Sequence, residues 1–233
     1  MNTYQFTFWG AEHGVIMLLT VLLPIVSVRW ARSKSTGERD FLGKILGTML
    51  VLNWFTYQGY RLYCGHWSVQ YDLPMELCNW AVFLTAYALW FKKQRAAELA
   101  FFWVMAGSIH GIITPDIHQP FPHLTYITFM IGHTGLVWSV LYLALGMDLK
   151  PQKGAWLRAA AWSQLYFVLA IITNFLVDGN YGYLRQKPAG GSFLDILHDW
   201  PYYLFELELI GAISYALVYF PFWWWRRKNE PIL

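Results

Sequence analysis

Apolar stretches separated by short charged segments run along the whole chain. They fall at residues 9–28, 44–63, 74–91, 98–114, 124–146, 156–177 and 202–225, and so predict seven helices. Several match or exceed the ~20 apolar residues that a helix needs to cross the hydrocarbon core of a bilayer. The fourth is the weakest, because Ser108, His110 and Pro115 interrupt it. No internal repeat, low-complexity tract or linker divides the chain. The pattern therefore reads as one domain over residues 1–233, an all-α polytopic membrane helix bundle. Residues 1–8 are polar, lack Lys and Arg, and do not read as a signal peptide.

Composition sharpens this picture. Hydrophobic residues make up 57% of the chain and charged residues 13%, about half the share in an ordinary soluble domain. A soluble globular domain, a disordered chain, a nucleic-acid binder and a disulfide-dense secreted fold are excluded. The net charge of +3 becomes informative only when it is divided along the chain. Arg29, Arg32, Lys34, Arg39 and Lys44 follow the first span, and Lys92, Lys93 and Arg95 follow the third. Lys150, Lys153 and Arg158 follow the fifth, and Arg226, Arg227 and Lys228 follow the seventh, so 14 of 17 basic residues fall on alternate connections. Short loops rich in Lys and Arg stay cytoplasmic, which predicts the N-terminus outside and the C-terminus inside. The acids lean the other way: Glu12, Asp72, Glu76, Asp116, Asp178, Asp195, Asp199, Glu206 and Glu208 sit on the outer half.

Ionisable groups inside a span are costly unless paired or wet, and so mark candidate functional positions. Glu12 and His13 open the first span, and Asn53, Tyr57, Tyr60 and Arg61 form one stripe of the second. In the third, Asp72 is placed to cap the helix and Pro74 to occupy its first turn, with Glu76, Cys78 and Asn79 following. His110 ends the fourth span, and His133 lies roughly 15 Å down the fifth at 1.5 Å per residue. Asn174 and Asp178 share the outer end of the sixth, and Glu206 and Glu208 lie in the first turns of the seventh. This one-sided set predicts a water-accessible cavity open to the outside with His133 at its floor. The competing reading is that the same groups glue the helices together by hydrogen bonds. Residues two apart point about 200° apart on a helix, so Glu76 and Cys78 cannot both face the cavity squarely, and neither can Glu206 and Glu208.

Cys64 and Cys78 are the two cysteines, and neither CxxC nor HExxH occurs. Three roles for Cys78 stay open: a bridge to Cys64, a small packing residue, or a nucleophile activated by a helix N-terminus and a histidine. His133 and His110 are the histidines at useful depth. A metal or haem site would draw on them and on His66, His118, His123 and His198. The connection over 178–201 is the longest and reads as a lid or binding loop. The connection TPDIHQPFPH is rich in proline and stiff.

The segment LPMELCN around Cys78, the FMIGH ending at His133, and NFLVDGNYGYLRQKPAGGSFLDILHDWPYY resemble the YwaF-type integral membrane proteins. These in turn are similar to the eukaryotic transmembrane protein 164. The third motif, NY-x-YL-x-x-KP followed by WP-x-Y, is the most specific. The resemblance implies a bundle of six to seven membrane helices and, from the eukaryotic relative, phospholipid acyl transfer by a cysteine nucleophile and a histidine. By motif, Cys78 and His133 inherit those roles. Bacterial relatives often carry His two residues before the motif cysteine, where this chain has Glu76, so the charge at that position differs.

The resulting expectation is a lipid acyltransferase or lipid-ester enzyme with Cys78 and His133 catalytic. Glu76, Asn79, His110, Asn174, Asp178, Asn180, Tyr181 and Glu206 are the candidate substrate-binding residues, and Asn79 or Asn174 would steady the oxyanion. The expected partners are membrane lipids and a phospholipid or acyl substrate, with no nucleic acid, cofactor or metal, in a bacterial plasma membrane. The alternatives are a transporter or receptor for a polar or cationic solute, or a metal- or haem-binding membrane protein. The paired interrupted helices of an inverted-repeat transporter are missing from the sequence.

Overall fold

The computed structural model describes residues 9–117, 119–188 and 193–229, and within these the chain is helical with no strand. Residues 1–8, His118 and the stretch around Gly190, all part of the expectations above, lie outside the described residues. The helices are α1 (Ala11–Arg32), α2 (Thr36–Tyr63), α3 (Leu77–Phe91), α4 (Gln94–Ile113), α5 (Leu124–Gly146), α6 (Ala155–Val177) and α7 (Tyr202–Asn229). A π-turn, Val104–Ser108, interrupts α4 where Ser108 and His110 weaken its sequence signal, and a second, Tyr142–Gly146, ends α5.

Five of these helices, α1, α4, α5, α6 and α7, are long and apolar enough to cross a membrane. α3 is apolar but has only 15 residues. α2 has 28 residues and carries charge at both ends. Its start lies at Thr36, well before the expected residue 44. The Ser35 Oγ accepts from Glu38 N at 3.3 Å and Glu38 Oε2 accepts from Ser35 N at 3.0 Å, a reciprocal cap that sets the first turn ahead of the apolar stretch. α3 instead starts late, at Leu77. Asp72 does not cap it, because both carboxylate oxygens accept from Arg61, at 2.8 and 2.9 Å, and Oδ2 also takes Ser68 N. Pro74 therefore sits in a turn, and Glu76 stands at the cap position, where its side chain does not bond the helix.

α5 runs through the middle of the bundle, with α1, α2 and α3 packed around it, and α3 leads through α4 to α6 and α7. α4 and α5 are the most enclosed helices, whereas α1, α6 and α7 turn broad apolar faces outward. At one end the basic connections converge. Lys92 pairs with Asp40 at 2.5 Å, and the buried Glu98 accepts from Arg95 at 3.0 Å and from Arg158 at 2.8 Å. Gln94 donates to the Lys150 carbonyl and Arg226 to that of Pro151. At the opposite end the α6–α7 connection tucks under the α2–α3 connection. The Tyr181 hydroxyl donates to the Val69 carbonyl at 2.7 Å and accepts from Leu73 N at 2.9 Å.

Candidate functional site

A cavity of about 790 Å³ opens at this second end. Its walls come from α2, α3, α5, both connections just described and the α4–α5 connection. Cys78, His133, Glu76, Asn79, Asn180 and Tyr181 all border it. These residues lie far apart in the chain and meet because α2, α3 and α5 pack on one another.

The late start of α3 puts Cys78 at its second residue, inside the first turn. No side chain caps this helix, so the partial positive charge of its N-terminus is left beside the thiol. Cys78 and Cys64 are both free, which removes the bridge between them. The His133 ring is fixed from three sides. Its Nδ1 stands 3.0 Å from the Phe129 carbonyl, and the ring stacks on Phe129 at 4.1 Å between centroids. Because a carbonyl only accepts, Nδ1 carries the proton, and the neutral ring keeps the Nε2 lone pair for other partners. On the third side is Gly111, where a Cβ would come within 2.4 Å of Cδ2 and 2.6 Å of Nε2. Only glycine fits there.

Glu76 accepts from Gly182 N at 3.0 Å and touches the cavity on one side. Burial pushes its carboxyl up to about 7, against the opposing Gly182 N–H and with a smaller push from the negative Asp116. Gly182 has φ +65, and a Cβ there would meet the Tyr166 hydroxyl at 2.9 Å, so the contact with Glu76 requires glycine. Asn79 Oδ1 accepts from Trp54 Nε1 at 3.1 Å, which leaves its Nδ2 as a donor for the cavity. Glu76 and Cys78 border the same cavity although they are two residues apart. The 200° argument does not apply to them, because Glu76 precedes the helix.

Other candidates turn out to be scaffolding. Asn174 is fully buried with its amide spent on Tyr181, accepting from the backbone N at 2.6 Å and donating to the carbonyl at 2.9 Å. It holds the loop in place and does not border the cavity where an oxyanion would form. Asp178 is 88% exposed and pairs with Arg185 at 2.6 Å. Glu206 binds His198 at 2.5 Å, and Glu208 binds Gln164 across α6 and α7. His110 is exposed. None of His110, Asn174, Asp178, Glu206 and Glu208 borders the cavity. Asn180 and Tyr181 do, but their polar atoms fold the loop: Asn180 Oδ1 accepts from Arg185 N and Gln186 N. His13, fully buried, bonds the Ile112 carbonyl at 2.6 Å and ties α1 to α4. Among the described residues, no three His, Cys, Asp or Glu side chains come together as metal ligands.

The chain belongs to the TMEM164 family. The family model matches residues 8–219, which take in all but the last turns of α7. No curated protein and no solved structure matches the chain. With its apolar helices, this makes it an integral membrane protein of the TMEM164 family. Within that family frame, the parts played by some residues at and beside the cavity were not readable in the sequence. Asp116, whose carboxylate accepts from the Tyr183 hydroxyl at 2.6 Å, comes from the proline-rich connection. Gly111 and Phe129 are an ordinary glycine and phenylalanine in apolar stretches, and only the ring between them gives them meaning.

Proposed function

We propose that this TMEM164-family protein is a membrane acyl-transfer enzyme acting on lipid esters, with Cys78 as nucleophile and His133 as general base. One observation carries the reading: a first-turn cysteine and a histidine with its Nδ1 occupied border one cavity from two different helices. In the first half-reaction, the Cys78 thiol gives its proton to His133 Nε2 as sulfur bonds to the acyl carbonyl carbon. The ester C–O bond then breaks, the leaving lysolipid oxygen takes the proton back from His133, and the acyl group stays on sulfur as a thioester. An acceptor hydroxyl reverses these steps, which restores the thiol. Asn79 Nδ2 is the donor for the carbonyl oxygen as its charge develops. Glu76, whose burial raises its hold on a proton, is the lining carboxyl whose charge changes near neutral pH.

The same reading includes seven spans, an N-terminus outside and a cytoplasmic C-terminus, in a bacterial plasma membrane. It is supported by the gathering of the basic connections at the end opposite the cavity, so that the cavity faces outward.

The test is acyl transfer from a phospholipid to a lysophospholipid in reconstituted vesicles, with mass spectrometry of the Cys78 peptide. Cys78→Ser and His133→Ala are each expected to lose at least ~10²-fold in rate while still folding in the membrane. The wild-type peptide is expected to carry an acyl adduct on Cys78. Full activity in either variant removes that residue from the mechanism.

A further inference from the structure

A second hollow lies on the outer surface of the bundle, between α2 and α5. It is an apolar groove of about 640 Å³ that runs along α2 from Phe41 to Thr56 and is flanked by Ile131 of α5. At 1.5 Å per residue this stretch of α2 is about 22 Å long, more than the roughly 15 Å of hydrocarbon in one leaflet. Its rims are exposed apolar side chains, with Phe41 at 66%, Ile45 at 48% and Ile131 at 43%. Two of the polar groups in its wall bond within the bundle: Thr56 Oγ1 donates to the Leu52 carbonyl at 2.9 Å and Asn53 Nδ2 to that of Thr128 at 2.9 Å. Lys44 lines the groove toward the basic end, a place where a lysine stem can cover apolar surface while its charge stays in the polar region. Five of its nine lining residues, Phe41, Ile45, Met49, Leu52 and Ile131, are apolar.

The groove and the cavity meet at a shared lining residue. Asn53 borders both. On α5, Ile131 borders the groove and the next residue, Gly132, borders the cavity beside His133. A Cβ at Gly132 would stand 3.2 Å from Asn53 Nδ2, so the absence of a side chain at 132 is what leaves room for the Asn53 amide between the two hollows. The bond from Asn53 to Thr128 closes the gap like a bar.

We infer that the α2–α5 groove is the seat of a membrane lipid's acyl chain, which passes the Asn53–Gly132 bar into the cavity and there presents its carbonyl to Cys78 and His133. The inference rests on the acyl-transfer reading of the cavity. An ester held there carries a long hydrocarbon tail that needs an apolar path, and the groove is contiguous with the cavity wall and continues toward the basic end. The head group then stays at the open end, under the α6–α7 connection. The medium around a membrane bundle is itself acyl chain, so such a tail enters sideways without crossing water.

The test uses a phospholipid with a photoreactive diazirine near the end of its acyl chain, present in trace amounts in nanodiscs that hold the full-length protein. After illumination, labelled peptides are mapped by mass spectrometry. The α2 segment 41–56 and Ile131 are expected to be labelled about tenfold more than the exposed faces of α6 and α7, the ratio given by a preference of roughly 1.4 kcal/mol. Ile131→Trp and, as a second variant, Ile45→Trp should each cut the α2 label while leaving the α6 and α7 labels unchanged. Equal labelling of all outward faces, or labelling of α2 that neither tryptophan alters, overturns the inference. The Cys78→Ser variant separates it from the chemistry. Groove labelling that persists in a wild-type protein without transfer activity keeps the groove and discards the acyl-transfer reading, and activity without groove labelling does the reverse.

Discussion

Gly111→Ala tests whether the His133 ring is positioned for chemistry. The added Cβ would stand 2.4 Å from Cδ2 and 2.6 Å from Nε2, where ordinary contacts begin at 3.4 Å, so something has to move by about 1 Å. The α4 backbone is held in the core, and the ring is the softer partner. It moves only by giving up its Nδ1 bond to the Phe129 carbonyl at 3.0 Å or its stack on Phe129. Overpacking of this kind costs roughly 1–3 kcal/mol, and the better helix propensity of alanine returns up to about 1 kcal/mol. The net loss of stability is therefore small. A 1 Å displacement of a catalytic base costs about 10²-fold in rate. The expected signature is transfer activity down about a hundredfold, with a melting temperature only a few degrees lower. Gly107→Ala is the matched control on the same helix, because its Cβ meets only the flexible end of Leu77 at 3.3 Å and leaves His133 alone. If Gly111→Ala keeps its rate within about twofold of the control, His133 is not held where the proposed reaction needs it and the reasoning fails.

Three further outcomes follow from the same geometry. The raised Glu76 value means that the folded protein holds this proton more tightly than the unfolded chain does. Its contribution to stability is complete below 4.5 and disappears as pH rises through about 7. Melting curves from pH 4 to 8 should show this loss in the wild type and not in Glu76→Gln, and parallel curves would refute it. Asn174→Ala leaves the Tyr181 N–H buried without its partner, at about 1–3 kcal/mol, and leaves the Tyr181 carbonyl with only the long bond from Leu184 N at 3.4 Å. It should lower the melting temperature and admit protease to the α6–α7 connection, and an unchanged melting temperature counts against the clamp. For topology, Ser35→Cys and Asp178→Cys in a background lacking Cys64 and Cys78 should label with an impermeant maleimide only from inside and only from outside, respectively. Equal labelling from one side sinks the seven-span arrangement.

The sequence alone determined what local rules control. Long apolar stretches and alternating basic connections specify the helices and the end at which each one turns, and the Ser35–Glu38 pair sets the start of α2 where hydropathy alone misplaced it. Cys78 and His133 stood out because reactive or ionisable groups are rare in such stretches. Which polar groups face the cavity was decided only in three dimensions. Asn79 and Asn174 carry the same signal, one asparagine near the end of an apolar helix. Asn79 borders the cavity, while the amide of Asn174 closes on the backbone of Tyr181. Asp72, well placed in sequence to cap α3, is captured by Arg61 from α2. The physical reason lies in the solvent. In water an apolar face marks the core, and its period gives the rotation of the helix. In a bilayer the outward faces are apolar too, so α1, α6 and α7 show no amphipathic period to read. Helix rotation is then set by close packing at particular contacts, such as Gly111 on His133 and Gly132 on Asn53, which join residues of different helices and leave no mark in either one's sequence.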